Sequence, residues 1–112
     1  MILRLWRGWA TPDNAGAYEQ LLNGTIAPAI MRRGIAGLRE LSVLRRDGEA
    51  GEAGEEVEFV TVMTFDDRAA VKEFAGPDSS ASVVPPAARA LLAHFDEHSA
   101  HYEVLARHLP AG

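Results

Sequence analysis

A chain of 112 residues, 47% hydrophobic and 24% charged, has the size and composition of one globular domain, 1–112, and not those of a disordered segment, since a single core can bury about two-thirds of its unfolded surface. A net charge of -5 offers nothing to a phosphate backbone, and the Arg32-Arg33 and Arg45-Arg46 pairs are too short to form a basic stripe, so no nucleic-acid partner is expected. Without cysteine there is no disulfide, thiolate nucleophile or iron–sulfur cluster, and with no signal-like start and no apolar run near the roughly 18 residues of a membrane span, a cytoplasmic protein without a membrane partner is expected.

Residues 2–9, ILRLWRGW, nearly alternate apolar side chains with Arg and end at Gly8 and Thr11-Pro12, which predicts a first strand. Thr11 suits an N-cap, with Pro12 at the first helical position, where its missing N–H costs nothing, and Asp13 beside the positive end of the dipole. Ala15, Tyr18, Leu22, Ile26 and Ile30 then recur at three- and four-residue spacing, marking an apolar helix face out to Arg32-Arg33, where Gly34 can take the left-handed cap. Pro28 removes a hydrogen bond to the carbonyl of Gly24, so a kink or break is predicted between 24 and 28. LRELSVLRR (38–46) and EVEFVTVMTF (56–65) predict two further strands, joined by a Gly- and Glu-rich hairpin tip from Asp47 to Glu55. Asp66 or Asp67 can cap a short helix carrying Ala70, Val71 and Phe74, ended by Gly76-Pro77. Beyond the loop GPDSSASVV, Pro85-Pro86 open a last helix with a stripe of Ala87, Ala88, Leu91, Leu92 and Phe95, expected to end around Phe95 to Glu97. SAHYEVLAR (99–107) alternates as a final strand.

The order β-α-β-β-α-β specifies an α+β, ferredoxin-like domain: a four-stranded antiparallel sheet with its helices on one face. The sheet is apolar on both faces. Ile2 and Trp6 oppose Leu3, Leu5 and Trp9 across the first strand, and Val57, Phe59, Met63 and Phe65 oppose Val60 and Val62 across the third. Helices cover one face only, so a second copy packed sheet against sheet is expected, with an apolar but exposed face as the alternative.

The opening MILRLWRGW strand, the EVEFVTVMTFDDRAAVKEFAG strand-to-helix segment and the closing HYEVLAR strand resemble the antibiotic biosynthesis monooxygenase (ABM) domains of the dimeric α/β-barrel superfamily, over nearly the whole chain. The resemblance implies a homodimer in which two ferredoxin-like subunits join their sheets into a barrel, each keeping its own pocket between sheet and helices. Haem-degrading members of the same fold use an Asn on the first strand with a Trp and a His from the second helical region. Here Trp6, followed by Arg7, stands at the Asn position, Phe74 stands at the Trp position, and no His falls between residues 75 and 93, near Val84 where the axial ligand belongs. Haem is therefore not expected. The quinone-forming ABM enzymes oxidise polycyclic phenols with no metal or flavin, the substrate's own anion reacting with oxygen. By this resemblance the chain is a cofactor-independent monooxygenase, with no cofactor and no metal, acting on a small, planar, partly apolar molecule.

Such chemistry needs an aromatic-lined apolar cavity, a group to take the phenolic proton, and a cation or donor for the developing negative charge. Trp6, Trp9, Phe65, Phe74 and Tyr102 are the candidate lining, Arg4 or Arg7 the candidate cation, and His101 the candidate base. Each also has a plain structural reading: the aromatics as core or interface, the arginines as solvated or carboxylate-paired, His101 as a hydrogen-bonded strand residue beside Ser99 and Glu103. The alternative function is accordingly a non-enzymatic small-molecule-binding or structural homodimer of the same fold.

One motif points to a different chemistry. HFDEH (94–98) spells H-x-x-E-H, a zinc-protease signature. That signature requires His94 and His98 on one face of a continuing helix and a third ligand from a later segment. Only the residues 99–112, which read as a strand, follow His98. A polar turn between helix and strand is the expectation, and a zinc site of His94, His98 and His101 is the competing one.

Overall fold

The computed structural model describes residues 1–48 and 55–112. At its centre, strand β1 (Ile2–Ala10) runs antiparallel to β3 (Val57–Phe65) in unbroken register from Ile2↔Phe65 to Ala10↔Val57. Strand β2 (Leu38–Asp47) lines the far edge of β3. The other edge of β1 carries two short antiparallel strands, β4 (Leu92–Phe95) against Gly8–Ala10 and β5 (Ala100–Glu103) against Ile2–Leu5. Helices α1 (Pro12–Leu21), α2 (Ala27–Arg32), α3 (Arg68–Ala75) and α4 (Pro86–Leu91) complete a ferredoxin-like α+β fold with a five-stranded antiparallel sheet. Among the described residues no helix is long and apolar enough to cross a membrane.

The helix boundaries follow local chemistry. Thr11 caps α1, its side chain accepting from the Asn14 N–H at 3.4 Å, and Asp67 caps α3, accepting from the Ala70 N–H at 2.9 Å. The interruption expected near Pro28 is a π turn over Leu22–Ile26, in which the Ala27 N–H reaches back to the Leu22 carbonyl. Gly34 adopts φ 63° just beyond α2, as a left-handed cap requires. The central part of the expected hairpin tip, 49–54, lies outside the described residues.

Two expectations at the C-terminal end are corrected. Helix α4 stops at Leu91 instead of running to Phe95–Glu97, and Leu92–Phe95 is extended. The final strand is shorter than 99–107 and shares its lane with β4, which makes five strands where four were predicted. The cause is long-range. The free edge of β1 presents backbone donors and acceptors that must be paired, and that demand outweighs the weak helical periodicity of 92–95. Between β4 and β5 the chain pairs instead with the 79–82 segment: Ser82 N–H donates to the Glu97 carbonyl at 2.9 Å, Ser99 N–H donates to the Ser80 carbonyl at 2.7 Å, and Ala81 bridges His98.

The period of two along β1 divides its side chains cleanly. Ile2, Arg4, Trp6, Gly8 and Ala10 are buried beneath the helices, while Leu3, Leu5, Arg7 and Trp9 face the opposite side with Val60 and Val62 of β3. Two core clusters lie under the helices. One gathers Trp6, Ala10, Tyr18, Leu22 and Phe59, the other Ile2, Met63, Phe65, Val71 and Phe74. Arg4 on β1 and Thr61 on β3 are the polar positions that separate the two clusters along these strands.

Gly8 belongs to this arrangement because the Trp6 indole lies over it. A Cβ at Gly8 would stand 2.6 Å from the ring. Gly8→Ala is expected to displace Trp6 and to cost about 1–3 kcal/mol of stability, the usual penalty of overpacking. Denaturant unfolding, with tryptophan emission read in the folded state, checks both effects.

Candidate functional site

Where the two core clusters part, a cavity of about 50 Å³ opens between sheet and helices. Trp6, Thr61 and Met63 form its floor, Tyr18, Leu22, Ile26 and Ile30 one wall, and Phe74, Val84 and Ala88 the other, with Arg4 and Ser99 at the polar end. The π turn contributes directly, since Leu22 and Ile26 at its two ends both reach the cavity. An apolar vestibule of about 370 Å³, framed by Leu21, Thr25, Ala29, Arg33 and Ala87, adjoins it. Cavity and vestibule share Ile26, Ile30, Phe74, Val83 and Pro85 as walls.

Arg4 dominates the electrostatics. It is only 3% exposed. Its guanidinium donates to the Ser79 carbonyl at 2.5 Å, the Ala81 carbonyl at 2.8 Å and His101 Nε2 at 2.9 Å, and it lies 5.4 Å from the centre of the Phe74 ring. All three acceptors are uncharged. Arg7, Arg39, Arg45 and Arg46, by contrast, each meet a carboxylate. Among the described residues, no carboxylate forms an ion pair with Arg4. Burial pulls the Arg4 pKa below its ordinary value, yet an arginine remains charged at neutral pH. Leaving a buried charge without a counter-charge costs several kcal/mol, which hydrogen bonds of about 1.5–3 kcal/mol each offset.

A guanidinium only donates, so His101 accepts through Nε2 and carries its proton on Nδ1. Burial first, then the charges of Arg4 and Arg68, lower the His101 pKa from its ordinary 6.5. Its basic nitrogen is therefore occupied, and His101 holds Arg4 in place. Two further groups at the site are polar. The Tyr18 pKa is pushed up to about 12 by burial, so its phenol stays neutral. Ser99 is 7% exposed, and its buried Oγ has no hydrogen-bond partner among the described residues.

Four of the residues predicted from sequence meet here: Arg4, Trp6 and Phe74 line the cavity, and His101 contacts Arg4. The others are placed elsewhere. Arg7 lies on the opposite face of the sheet, paired with Asp96 at 2.9 Å and 5.2 Å from the Trp9 ring centre. Trp9 stacks on His94 with centroids 4.5 Å apart, and Tyr102, 55% exposed, shares that face opposite Leu3. Phe65 faces the helices but is fully enclosed in the second cluster, tilted against Phe74. Strand parity separates Arg7, Trp9 and Tyr102 from the cavity, and depth separates Phe65. Tyr18 and Leu22 were legible only as a helix stripe, and Ser99 only as a neighbour of His101. The histidines of HFDEH also diverge: His94 bonds Glu56 at 2.8 Å beside Trp9, His98 faces Ser80, and His101 faces Arg4. The described residues contain no group of three or more potential metal ligands.

No family model matches the chain, and no curated protein matches it. Solved structures do. The Pseudomonas aeruginosa protein PA3566 is similar with a TM-score of 0.57 and 19% identity over 94% of each chain. A Bacillus halodurans protein of the ethyl tert-butyl ether D (EthD) family is similar with a TM-score of 0.53 and 19% identity, over 94% of this chain and all of that one. At this identity the likeness is one of fold.

The lowered His101 pKa sets a direction for pH dependence. A histidine whose folded pKa lies below its unfolded value contributes stability that is fully present above about 6.5 and is lost as pH falls through the folded value, because the unfolded chain then binds the proton more tightly. His101 is expected to titrate below 6.5 in a histidine NMR titration and to move upward in Arg4→Met, where one of the lowering charges is gone.

Proposed function

We propose that the chain binds a small, planar, partly apolar molecule carrying an anionic oxygen, and oxidises it with dioxygen as a cofactor-independent monooxygenase. Arg4 carries this reading: a buried cation, held by neutral acceptors, at the polar end of a largely apolar cavity. A guanidinium beside a phenol or enol favours its ionised form, lowering its pKa by one to three units. The electron-rich anion is the species that reacts with oxygen. For an anthrone, the CH₂ between two aryl rings becomes C=O: one oxygen atom enters the product, and the other leaves as water with the two hydrogens. His101 acts here as a positioning residue for Arg4, and the surrounding apolar side chains exclude water and strengthen the field of the guanidinium.

The small inner cavity, walled by Trp6 and Phe74, supports a second reading in which the same site binds without turnover. Oxygen consumption with hydroquinones and anthrones separates the two. The wild-type protein is expected to consume oxygen and Arg4→Met to lose about 10²–10³ in kcat/KM, the cost of removing one preorganised anion-stabilising donor. Saturable binding without oxygen uptake selects the binding role instead.

The proposal includes a homodimer. Its support is the sheet face that the helices leave uncovered, where Leu3, Leu5, Trp9, Val60 and Val62 stay partly accessible, with Tyr102 and Leu44 half-exposed beside them. An apolar surface this continuous calls for a partner, and a second copy offers the same surface by two-fold symmetry. Light scattering is expected to give twice the chain mass, reduced to the chain mass in Val62→Asp. A wild-type protein that stays monomeric at micromolar concentration removes the dimer from the proposal.

A further inference from the structure

Ser99 is a cavity residue whose chemistry is so far unused. Its side chain is more than nine-tenths buried, and its hydroxyl has no partner among the described residues. Leaving a buried hydroxyl unpaired costs about 1–3 kcal/mol, whereas alanine would fill nearly the same space at no such cost. Nor is the position loosely held. The Ser99 N–H is bonded to the Ser80 carbonyl, and Ala81 bridges His98. Arg4 donates to the carbonyls of Ser79 and Ala81, so the guanidinium and the Ser99 hydroxyl are rooted on the same short pairing of segments 79–82 and 97–99.

The two compartments divide the space unequally. About 50 Å³ beside Arg4 and Ser99 accepts a head group but no fused ring system, while about 370 Å³ in the vestibule accepts the body of a planar molecule. Arg4 and Ser99 lie at the inner end, the shared walls Ile26, Ile30, Phe74, Val83 and Pro85 are apolar, and the Arg33 guanidinium that borders the vestibule donates to the Phe74 and Glu73 carbonyls.

We infer that Arg4 and Ser99 form a two-donor cradle for a single phenolate or enolate oxygen, and that the ligand enters head-first, its apolar ring system remaining in the vestibule between α2 and α4. Ser99 is thus a ligand-binding residue and not a packing residue. The inference rests on the reading of the cavity as the ligand site and goes beyond it in naming the second donor and the direction of entry.

Ser99→Ala and Arg4→Met tested with 4-nitrophenol, whose phenol and phenolate are distinguishable by absorbance, check this without any turnover. Bound to the wild-type protein, 4-nitrophenol is expected to ionise about one pH unit lower than in solution. Ser99→Ala is expected to weaken phenolate binding about tenfold, as loss of one hydrogen bond to a charged oxygen does, and Arg4→Met to abolish the shift. The melting temperature of ligand-free Ser99→Ala is expected to equal or exceed that of the wild type. A lower melting temperature identifies a hydroxyl anchored within the fold and overturns the inference. So does undiminished phenolate binding by Ser99→Ala, or a wild-type protein that leaves the ionisation of 4-nitrophenol unchanged. If these measurements succeed while anthrones consume no oxygen, the oxygenase reading fails alone and the cradle stands.

Discussion

The arrangement of this molecule depends on one buried guanidinium. Arg4 is the third residue of β1, in the helix-facing row where the others are apolar or glycine, and it is almost wholly buried. Three of its five N–H donors are met by chain from far away, two carbonyls from the 79–81 segment and the ring nitrogen of His101. That pairing fixes the irregular segment after α3 against the sheet. It also keeps the apolar core from closing over the middle of β1, leaving two clusters with a cavity between them.

A second constraint is the sidedness of the strands. Because side chains alternate with period two, moving the register of β1 by one residue would exchange Arg4 and Trp6 for Leu5 and Arg7. The unbroken pairing of β1 with β3 excludes that slip. The cavity and the uncovered apolar face are thus two sides of one decision. The residues that make the site possible on one side leave Leu3, Leu5 and Trp9 on the other.

The site combines strong preorganisation with little room. Arg4 is held by three acceptors and packed against Phe74, so it needs no rearrangement to meet a negative charge. Ile26, Ile30, Phe74, Val83 and Pro85 wall both the cavity and the vestibule, and part of that shared wall comes from the segment around the π turn, where Pro28 has no N–H to donate. Fold likeness to PA3566 and to the EthD family protein is compatible with many chemistries. The charge at this chain's own cavity is carried by Arg4.

Local rules were enough to read much of the architecture from the sequence. Thr11 and Asp67 as caps, Gly34 as a left-handed stop, the interruption before Pro28 and the two-faced apolar pattern of β1 and β3 depend on neighbours within a few residues, and each is found where those rules put it. The order of elements, and with it the ferredoxin-like fold, follows from them. The C-terminal third did not follow: 92–95 has a weak helical period, and only the free edge of β1, more than eighty positions away in sequence, makes it a strand. The site divides in the same way. Arg4, Trp6 and Phe74 were identifiable by residue type and by position on strand or helix, but which strand face turns inward, that His101 would accept from Arg4, and that Ser99 would be buried without a partner depend on the meeting of segments 79–82 and 97–99 over the end of β1. Short-range periodicity is written residue by residue in the chain, whereas the pairing of a buried charge or hydroxyl is decided by whichever distant backbone arrives beside it.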